Sequence, residues 1–176
     1  MVNKDKLLKI VFPIVTTLLG VCIGALITIN IQTSDNKEIL VYKIAACYNE
    51  YTENSKICDG LWEKNKIEQE IAAKSISFEP LNLLLEDPLI YEFLEPYYCS
   101  FVCPKLRRSN KITEFFMQEV QEGIQLDGTL KAIIASEFNF QKDFLKRMAL
   151  ELTDSETWKS LKKDLDDLYP DPSLHF

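Results

Sequence analysis

Residues 10 to 31 form a run of 22 positions without one charged side chain, IVFPIVTTLLGVCIGALITINI. With a rise of ~1.5 Å per residue, such a run reaches ~33 Å as an α-helix, which is enough to cross a hydrocarbon core of ~30 Å. We therefore predict one transmembrane helix near the start of the chain. The residues after this helix are enough for one domain of ordinary size.

Positive charge predicts the orientation of this helix. Lys4, Lys6 and Lys9 precede it, whereas the first residues after it offer only Lys37. Because positively charged flanks stay in the cytoplasm, we expect a single-pass protein of the inner or plasma membrane, with a cytoplasmic N-terminus and a periplasmic or extracellular C-terminal domain. The predicted segments are a cytoplasmic head (1–9), a transmembrane signal anchor (10–31), a juxtamembrane linker (32–38), an extracytoplasmic helical domain (39–170) and a C-terminal tail (171–176).

Two processing events compete with a retained anchor. The run is longer than the ~7 to 15 apolar residues of a secretory signal peptide, although residues 23–25 (Ile-Gly-Ala) resemble a poor cleavage site. Cys22 follows residues 19–21 (Leu-Gly-Val), which resemble a bacterial lipobox with a bulky Val where a small residue is typical. A retained anchor is the favoured interpretation.

Small residues recur every four positions within the predicted span. Thr16, Gly20, Gly24 and Thr28 share one side of such a helix, and the two glycines form a GxxxG pair. Small residues let two helices approach closely in lipid, which favours a homodimer or docking onto the span of a partner. Chance is the competing explanation, because Gly and Thr are common in membrane spans.

Four cysteines fall in the predicted outer domain, namely Cys47, Cys58, Cys99 and Cys103. An even number in an oxidising compartment predicts two disulfides, each joining separate segments of the chain. A four-cysteine zinc site is disfavoured, because the ten and three residues between the members of each pair do not match the usual zinc-binding spacing on both sides.

The predicted outer domain is acidic. The whole chain carries 20 basic and 27 acidic residues, and the first nine residues hold three Lys and one Asp, which leaves 17 and 26 beyond them. A surface of this sign repels nucleic acid and attracts a basic protein partner. An acidic surface that only keeps the domain dispersed accounts for the same excess.

Apolar side chains beyond the span follow helical rather than alternating spacing, so we predict an all-α fold. We expect the transmembrane helix to be followed by a compact bundle of about five to seven helices linked by disulfides. Apolar stripes predict a first helix with Val41 to Tyr51 on one face after a cap at Ser34-Asp35, and a second over about 61 to 74 with Leu61, Ile67 and Ile71 inward. A third is predicted over 109 to 122, with Ser109 as its cap. A fourth extends over Leu130 to Leu152 with a break near Asn139, and the last carries the stripe Trp158 to Leu168 after a Thr153-to-Glu156 capping box.

Prolines at intervals of eight, Pro80, Pro88, Pro96 and Pro104, divide the middle of the chain into similar blocks. Proline fits the first turn of a helix and disrupts its interior, so we predict successive two-turn helices or one kinked rod. Most apolar side chains of these blocks are assigned to the core. A candidate partner-binding patch comprises the aromatic residues Tyr91, Phe93, Tyr97, Tyr98 and Phe101.

Residues for familiar catalytic designs are scarce. The one histidine, His175, is the penultimate residue, so no histidine-based triad or general base is expected within the fold. No phosphate-binding loop or nucleophile elbow occurs, and we predict no catalytic residue, no cofactor and no metal. Carboxylate pairs such as Glu86-Asp87 leave a membrane-tethered, carboxylate-based hydrolase as the weakest interpretation.

These patterns favour a membrane-anchored protein that is not an enzyme and whose acidic outer domain binds another protein, as an immunity, inhibitor or exclusion factor does. The alternative is an accessory subunit of an envelope or secretion complex that docks through its transmembrane helix. Nucleic acid is not an expected partner.

Overall fold

The computed structural model describes the backbone of residues 4–124 and 127–168, and the side chains of residues 23–124, 127–161 and 163. All regular structure in these residues is helical, which confirms the all-α class. By its contacts the chain divides into two units, Met1–Glu38 and Ile39–Phe176. The helices are α1 (Lys4–Leu61), α2 (Lys66–Lys74), α3 (Glu79–Glu86), α4 (Pro88–Phe93), a π-helix (Tyr98–Val102), α5 (Cys103–Gln121), α6 (Gly128–Leu152) and α7 (Ser155–Leu168).

Helix α1 is longer than the sequence pattern predicts. The predicted linker 32–38 is helical, so Ser34 and Asp35 do not cap a new helix as expected. No Gly or Pro occurs between Gly24 and Gly60, and nothing local therefore interrupts the backbone hydrogen bonds of the helix.

The part of α1 that belongs to the unit Ile39–Phe176 supplies one side of the core. Leu40, Ile44 and Tyr51 are fully buried, and their spacing of four and seven places them on one face. The Tyr51 ring lies 6.1 Å from the ring of Phe138 on α6, centroid to centroid. Burying each side chain of this size contributes roughly 1.5–3 kcal/mol.

Helix α5 is the central element of this unit, since it contacts α2, α3, α6 and the π-helix. Its core residues Leu106 and Met117 are fully buried. Ser109, predicted as a helix cap, instead lies inside α5 and is buried. Its hydroxyl donates a hydrogen bond to the Glu137 carboxylate on α6. A serine hydroxyl can bond to a side chain of a neighbouring helix as well as to the backbone at a helix end.

A buried polar network joins α1, α3 and α5. The Tyr51 hydroxyl donates to Oδ1 of Asn110, and Nδ2 of Asn110 donates to the Phe78 carbonyl and to Oδ1 of Asn82, each at 3.0 Å. Asn110 itself is fully buried. The side-chain amide of Asn110 is thereby satisfied away from water, and its bonds fix the register of three segments at one point.

Helix α2 begins later than predicted. Asn65 and Glu68 form a capping box that starts the helix at Lys66. This register buries Ala73 and leaves Ile67 and Ile71, which the pattern places inward, 69% and 64% exposed. Leu61, assigned to the same predicted helix, is buried at the end of α1.

The C-terminal helices depart from prediction at two boundaries, and Ile133, predicted on the apolar face of α6, is 40% exposed. Helix α6 is continuous through Asn139, where a break was expected. Asp154 caps α7 in place of Thr153, because its Oδ1 accepts from the backbone N–H of Thr157 at 2.8 Å. Trp158 of α7 is buried and packs edge to face on Tyr48 of α1, with ring centroids 5.4 Å apart.

The proline blocks form short helices, as predicted. Pro80 lies in the first turn of α3 and Pro88 begins α4. Oδ1 of Asp87 caps α4 by accepting from the backbone N–H of Leu89 at 2.9 Å. The third block departs from this pattern, because it forms a π-helix that continues directly into α5.

Candidate functional site

The most prominent aromatic surface lies on the segment after Pro96. Tyr97 and Phe101 are 57% and 61% exposed, and their rings stack with centroids 5.8 Å apart. The half-buried ring of Tyr98 meets that of Tyr97 edge to face at 5.7 Å. We refer to Tyr97, Tyr98 and Phe101 as the aromatic surface. Rings held against one another in this way lose little further freedom when a partner binds.

A π-helix positions these rings. The backbone N–H of Cys103 donates to the carbonyl of Tyr98, five residues earlier. Pro104 has no N–H to offer the Ser100 carbonyl, and its ring would crowd that carbonyl in an α-helix, so a wider turn accommodates it. The wide turn leaves Ser100 and Phe101 exposed while Val102 remains in the core.

The other two members of the predicted patch lie apart from this surface. Phe93 is half-buried and packs against the core, so it belongs to the interior as much as to the surface. Tyr91 on α4 is 57% exposed. No ring contact among the described residues joins Tyr91 to the aromatic surface.

Charged groups from a distant segment act on the aromatic surface. Burial raises the pKa of Tyr98, the Glu151 and Glu95 carboxylates raise it further, and the Arg147 guanidinium lowers it. Arg147 also lies over the ring of Phe144, 5.5 Å from its centroid. Glu151 and Arg147 were not singled out in the sequence, because no local pattern links α6 to a segment about fifty residues earlier.

The four cysteines Cys47, Cys58, Cys99 and Cys103 are free thiols in the structure, so the predicted disulfides have no support from it. Cys47 and Cys58 lie on one helix, ~16 Å apart along its axis, which is too far for a bond between them. Burial raises the pKa of Cys58 to about 12 and that of Cys103 to about 11. Such thiols stay protonated near neutral pH and are poor nucleophiles.

Within the part of the chain that the structure describes, no group of three or more His, Cys, Asp or Glu side chains is placed to hold a metal ion.

The predicted transmembrane span lies only partly among residues with described side chains. Thr16 and Gly20 fall outside them. A side chain at Gly24 would meet no other atom within 4 Å, and the hydroxyl of Thr28 donates to the Gly24 carbonyl at 2.9 Å. In the described residues, which leave out side chains 10–22, no helix is both long and apolar enough to cross a membrane. The span and its pairing stripe stay predictions.

Comparisons of this chain with protein-family models, with curated proteins and with solved structures found no match.

Proposed function

We propose that this chain is a membrane-anchored binding protein without catalytic activity of its own, and that its acidic helical domain receives another protein at the aromatic surface. The observation that carries this proposal is the exposed, stacked pair of Tyr97 and Phe101. The ring surface that stays exposed after the two rings stack is unfavourable in water. Tyr and Phe rings at the centre of a patch are typical of protein interfaces, where a partner removes them from solvent.

The charges around the aromatic surface favour a basic partner. Carboxylates of Glu95 and Glu151 act on Tyr98, against the single guanidinium of Arg147. A Lys or Arg side chain from the partner can lie over an exposed ring and face these carboxylates at the same time. The acidic excess of the chain as a whole also favours a positively charged partner during the approach.

The anchoring part of the proposal depends on the uncharged run 10–31. Ile23, Leu26 and Ile27 are 55%, 61% and 54% exposed on α1. They share one side of the helix, whereas Ile29, 57% exposed, points to nearly the opposite side from Ile27, since two positions turn the helix by about 200°. A helix that is apolar all round is stable when lipid or other protein surrounds it, which supports a membrane span over these residues.

Site-specific photo-crosslinking tests the binding role. A photo-reactive amino acid replaces Ser100, an exposed residue within the π-helix, and the same amino acid at the exposed Gln118 on α5 is the control. We expect one basic protein to be crosslinked from position 100 of the full chain in its own membranes. We expect little crosslinked product from position 118. The amount from position 100 should fall when ~0.5 M salt screens the charges.

The double variant Tyr97→Ser, Phe101→Ser should remove most of the crosslinked product. Phe115→Ser is the matched control, because Phe115 is 55% exposed on α5 and lies outside the aromatic surface. Circular dichroism of both variants verifies that the helices remain. Equal crosslinking by the double variant and the control would contradict the proposal.

The alternative role, an accessory subunit that docks through its span, draws on the open space beside Gly24. Exchange of residues 10–31 for an unrelated apolar span separates the two roles. We expect crosslinking from position 100 to persist if the span is only an anchor. Loss of crosslinking with normal membrane insertion would favour the accessory-subunit role.

A further inference from the structure

A groove of about 630 Å³ lies between α1 and α3, within the unit Ile39–Phe176. The buried Cys47 and Leu84 lie deepest in it, and the exposed Ala46 and Leu83 form its walls together with Pro80. Leu83 is 60% exposed, although it belongs to a helix whose other leucines are buried. The groove therefore presents an apolar surface to solvent that the fold itself does not cover.

Charged groups on the rim of the groove are mostly acidic. Nζ of Lys43 pairs with Oδ2 of Asp87 at 2.5 Å, and Glu53 pairs with Lys56 at 2.8 Å. Glu50 is half-buried on the rim and has no ion-pair partner among the described residues. Its charge acts on the groove, since burial raises the pKa of the deeper Cys47 and Glu50 raises it further.

The shape of the groove matches a segment of polypeptide. Its lining on α1 extends from Lys43 to Glu53, which is ~15 Å or about three helical turns. Its other wall follows α3 from Pro80 to Asp87. A groove that is open along such a length accommodates a short helix better than it encloses a compact small molecule.

We propose that this groove binds an amphipathic helix of a partner protein, with apolar residues one turn apart and a Lys or Arg beside them. The apolar side chains pack between Ala46 and Leu83, and the cation meets Glu50. The aliphatic stem of Lys or Arg covers further apolar surface next to Leu83 while its charged group reaches the rim. The groove shares no residue with the aromatic surface, so this binding does not depend on the function proposed above.

Charge complementarity selects this occupant over an acidic or neutral helix. An acidic helix would bring like charges next to Glu50, Glu53 and Asp87, only two of which have ion-pair partners in the structure. A neutral apolar helix would fill the groove and bury the Glu50 carboxylate without a partner, which is costly. A basic helix satisfies Glu50 and removes Leu83 from water in a single contact.

The test uses the full chain in nanodiscs of neutral phosphatidylcholine and a fluorescent 14-residue helical peptide of Leu and Lys, with Leu one turn apart on a single face. Binding to empty nanodiscs is subtracted. The control peptide carries Glu at every Lys position. We expect saturable binding of the Lys peptide at one site, weakened by salt, and no comparable binding of the Glu peptide.

Two groove variants and two matched controls locate the site. Leu83→Ser should weaken binding of the Lys peptide about tenfold, because an apolar contact is lost, and Glu50→Gln roughly threefold to tenfold. Ile67→Ser and Glu63→Gln change exposed residues outside the groove and should leave the affinity unchanged. Both groove residues are at least partly accessible, so these variants are expected to fold.

Equal affinity in the groove and control variants would overturn the proposal, since the peptide would then bind elsewhere. Binding of the Glu peptide with the same affinity would overturn it as well. Displacement of the Lys peptide by an uncharged apolar molecule that leaves nanodiscs intact, such as 1-hexanol, combined with insensitivity to Glu50→Gln, would assign the groove to a small apolar ligand instead.

Discussion

Two stretches of helix α1 differ in what covers their apolar side chains. Over residues 23–31, Ile23, Ile27 and Ile29 are each more than half exposed, and Ile29 points to nearly the opposite side of the helix from Ile27. Over residues 40–61, Leu40 and Ile44 are fully buried. Both stretches are helical without interruption, so helix formation does not distinguish them. The arrangement of apolar residues does, because they surround the helix in the first stretch and occupy one face in the second.

The polar residues of the two stretches complete the comparison. The second stretch carries Lys43, Glu50 and Glu53 outside its buried face, whereas residues 10–31 carry no charge at all. A one-sided stripe can be satisfied by other helices of the same chain. A helix that is apolar on all sides needs lipid around it, as in the proposed membrane anchor.

The largest expected effect contrasts one isoleucine from each stretch. Ile44→Ala removes methyl groups from a fully buried position and should lower the free energy of unfolding by about 2–5 kcal/mol. Ile27→Ala acts at a position that is 54% exposed and should change it by less than about 0.5 kcal/mol. Urea denaturation followed by circular dichroism measures both. Similar losses for the two variants would show that residues 23–31 belong to the same folded core.

A smaller effect contrasts two tyrosines of α1. Tyr51→Phe deletes the hydroxyl that donates to Asn110 and leaves a buried acceptor without its donor, which should cost about 1–3 kcal/mol. Tyr42→Phe deletes a hydroxyl from a residue that is 47% exposed and should be close to neutral. The urea denaturation midpoints of the two variants measure both changes in stability. A neutral Tyr51→Phe would mean that Asn110 does not depend on Tyr51.

The smallest effect concerns the ion pair that joins α1 to α4. Burial alone raises the pKa of Asp87, but the hydrogen bonds from Lys43 and from the Leu89 N–H, with the Lys43 charge, lower it below its ordinary 3.8. The folded pKa is thus below the unfolded one, so this stabilisation is complete above about pH 4 and is lost as the pH falls through the folded pKa.

Asp87→Asn keeps an oxygen for the cap and removes the charge. We expect it to lower the free energy of unfolding by about 0.5–1 kcal/mol at pH 7, a small effect because Lys43 is half exposed and its attraction is screened. Near pH 2 we expect no measurable change, because the ion pair no longer stabilises the fold there. Glu53→Gln breaks an exposed pair within α1 and serves as the control. A pH-independent loss for Asp87→Asn would assign the effect to the cap alone.

Local rules predicted the parts of the fold that depend on local chemistry. Pro80 and Pro88 mark the first turns of α3 and α4, because a fixed φ and a missing N–H act within one turn. Helix α5 ends just before Gly123, whose φ of 82° is readily accessible only to glycine. The all-α class follows from periodicity summed over the whole chain.

Errors arose where tertiary contacts decide between locally acceptable outcomes. Ser109 has the chemistry of a cap, yet it is buried against Glu137 and lies within α5. Ile67 and Ile71 have helical spacing, yet α2 packs against α5 with Ala73 buried and leaves both of them exposed. Neither outcome can be derived from the residues within one turn on either side.

The candidate site was predictable in composition but not in arrangement. The sequence placed Tyr97, Tyr98 and Phe101 in one patch, since all three lie within five positions. The contributions of Arg147 and Glu151 were not predictable, because they depend on how α6 packs beside the π-helix segment. The groove was missed for the same reason, as its two walls come from segments about forty residues apart.

The packing of Trp158 against Tyr48 gives helix α7 an optical reporter. The chain has two tryptophans, and the other, Trp62, is half-buried beneath the Lys131 ammonium. Indole emission shifts to longer wavelength when water reaches the ring. A Trp62→Phe variant therefore retains one tryptophan, and a shift of its emission to longer wavelength reports the exposure of Trp158 when α7 separates from α1.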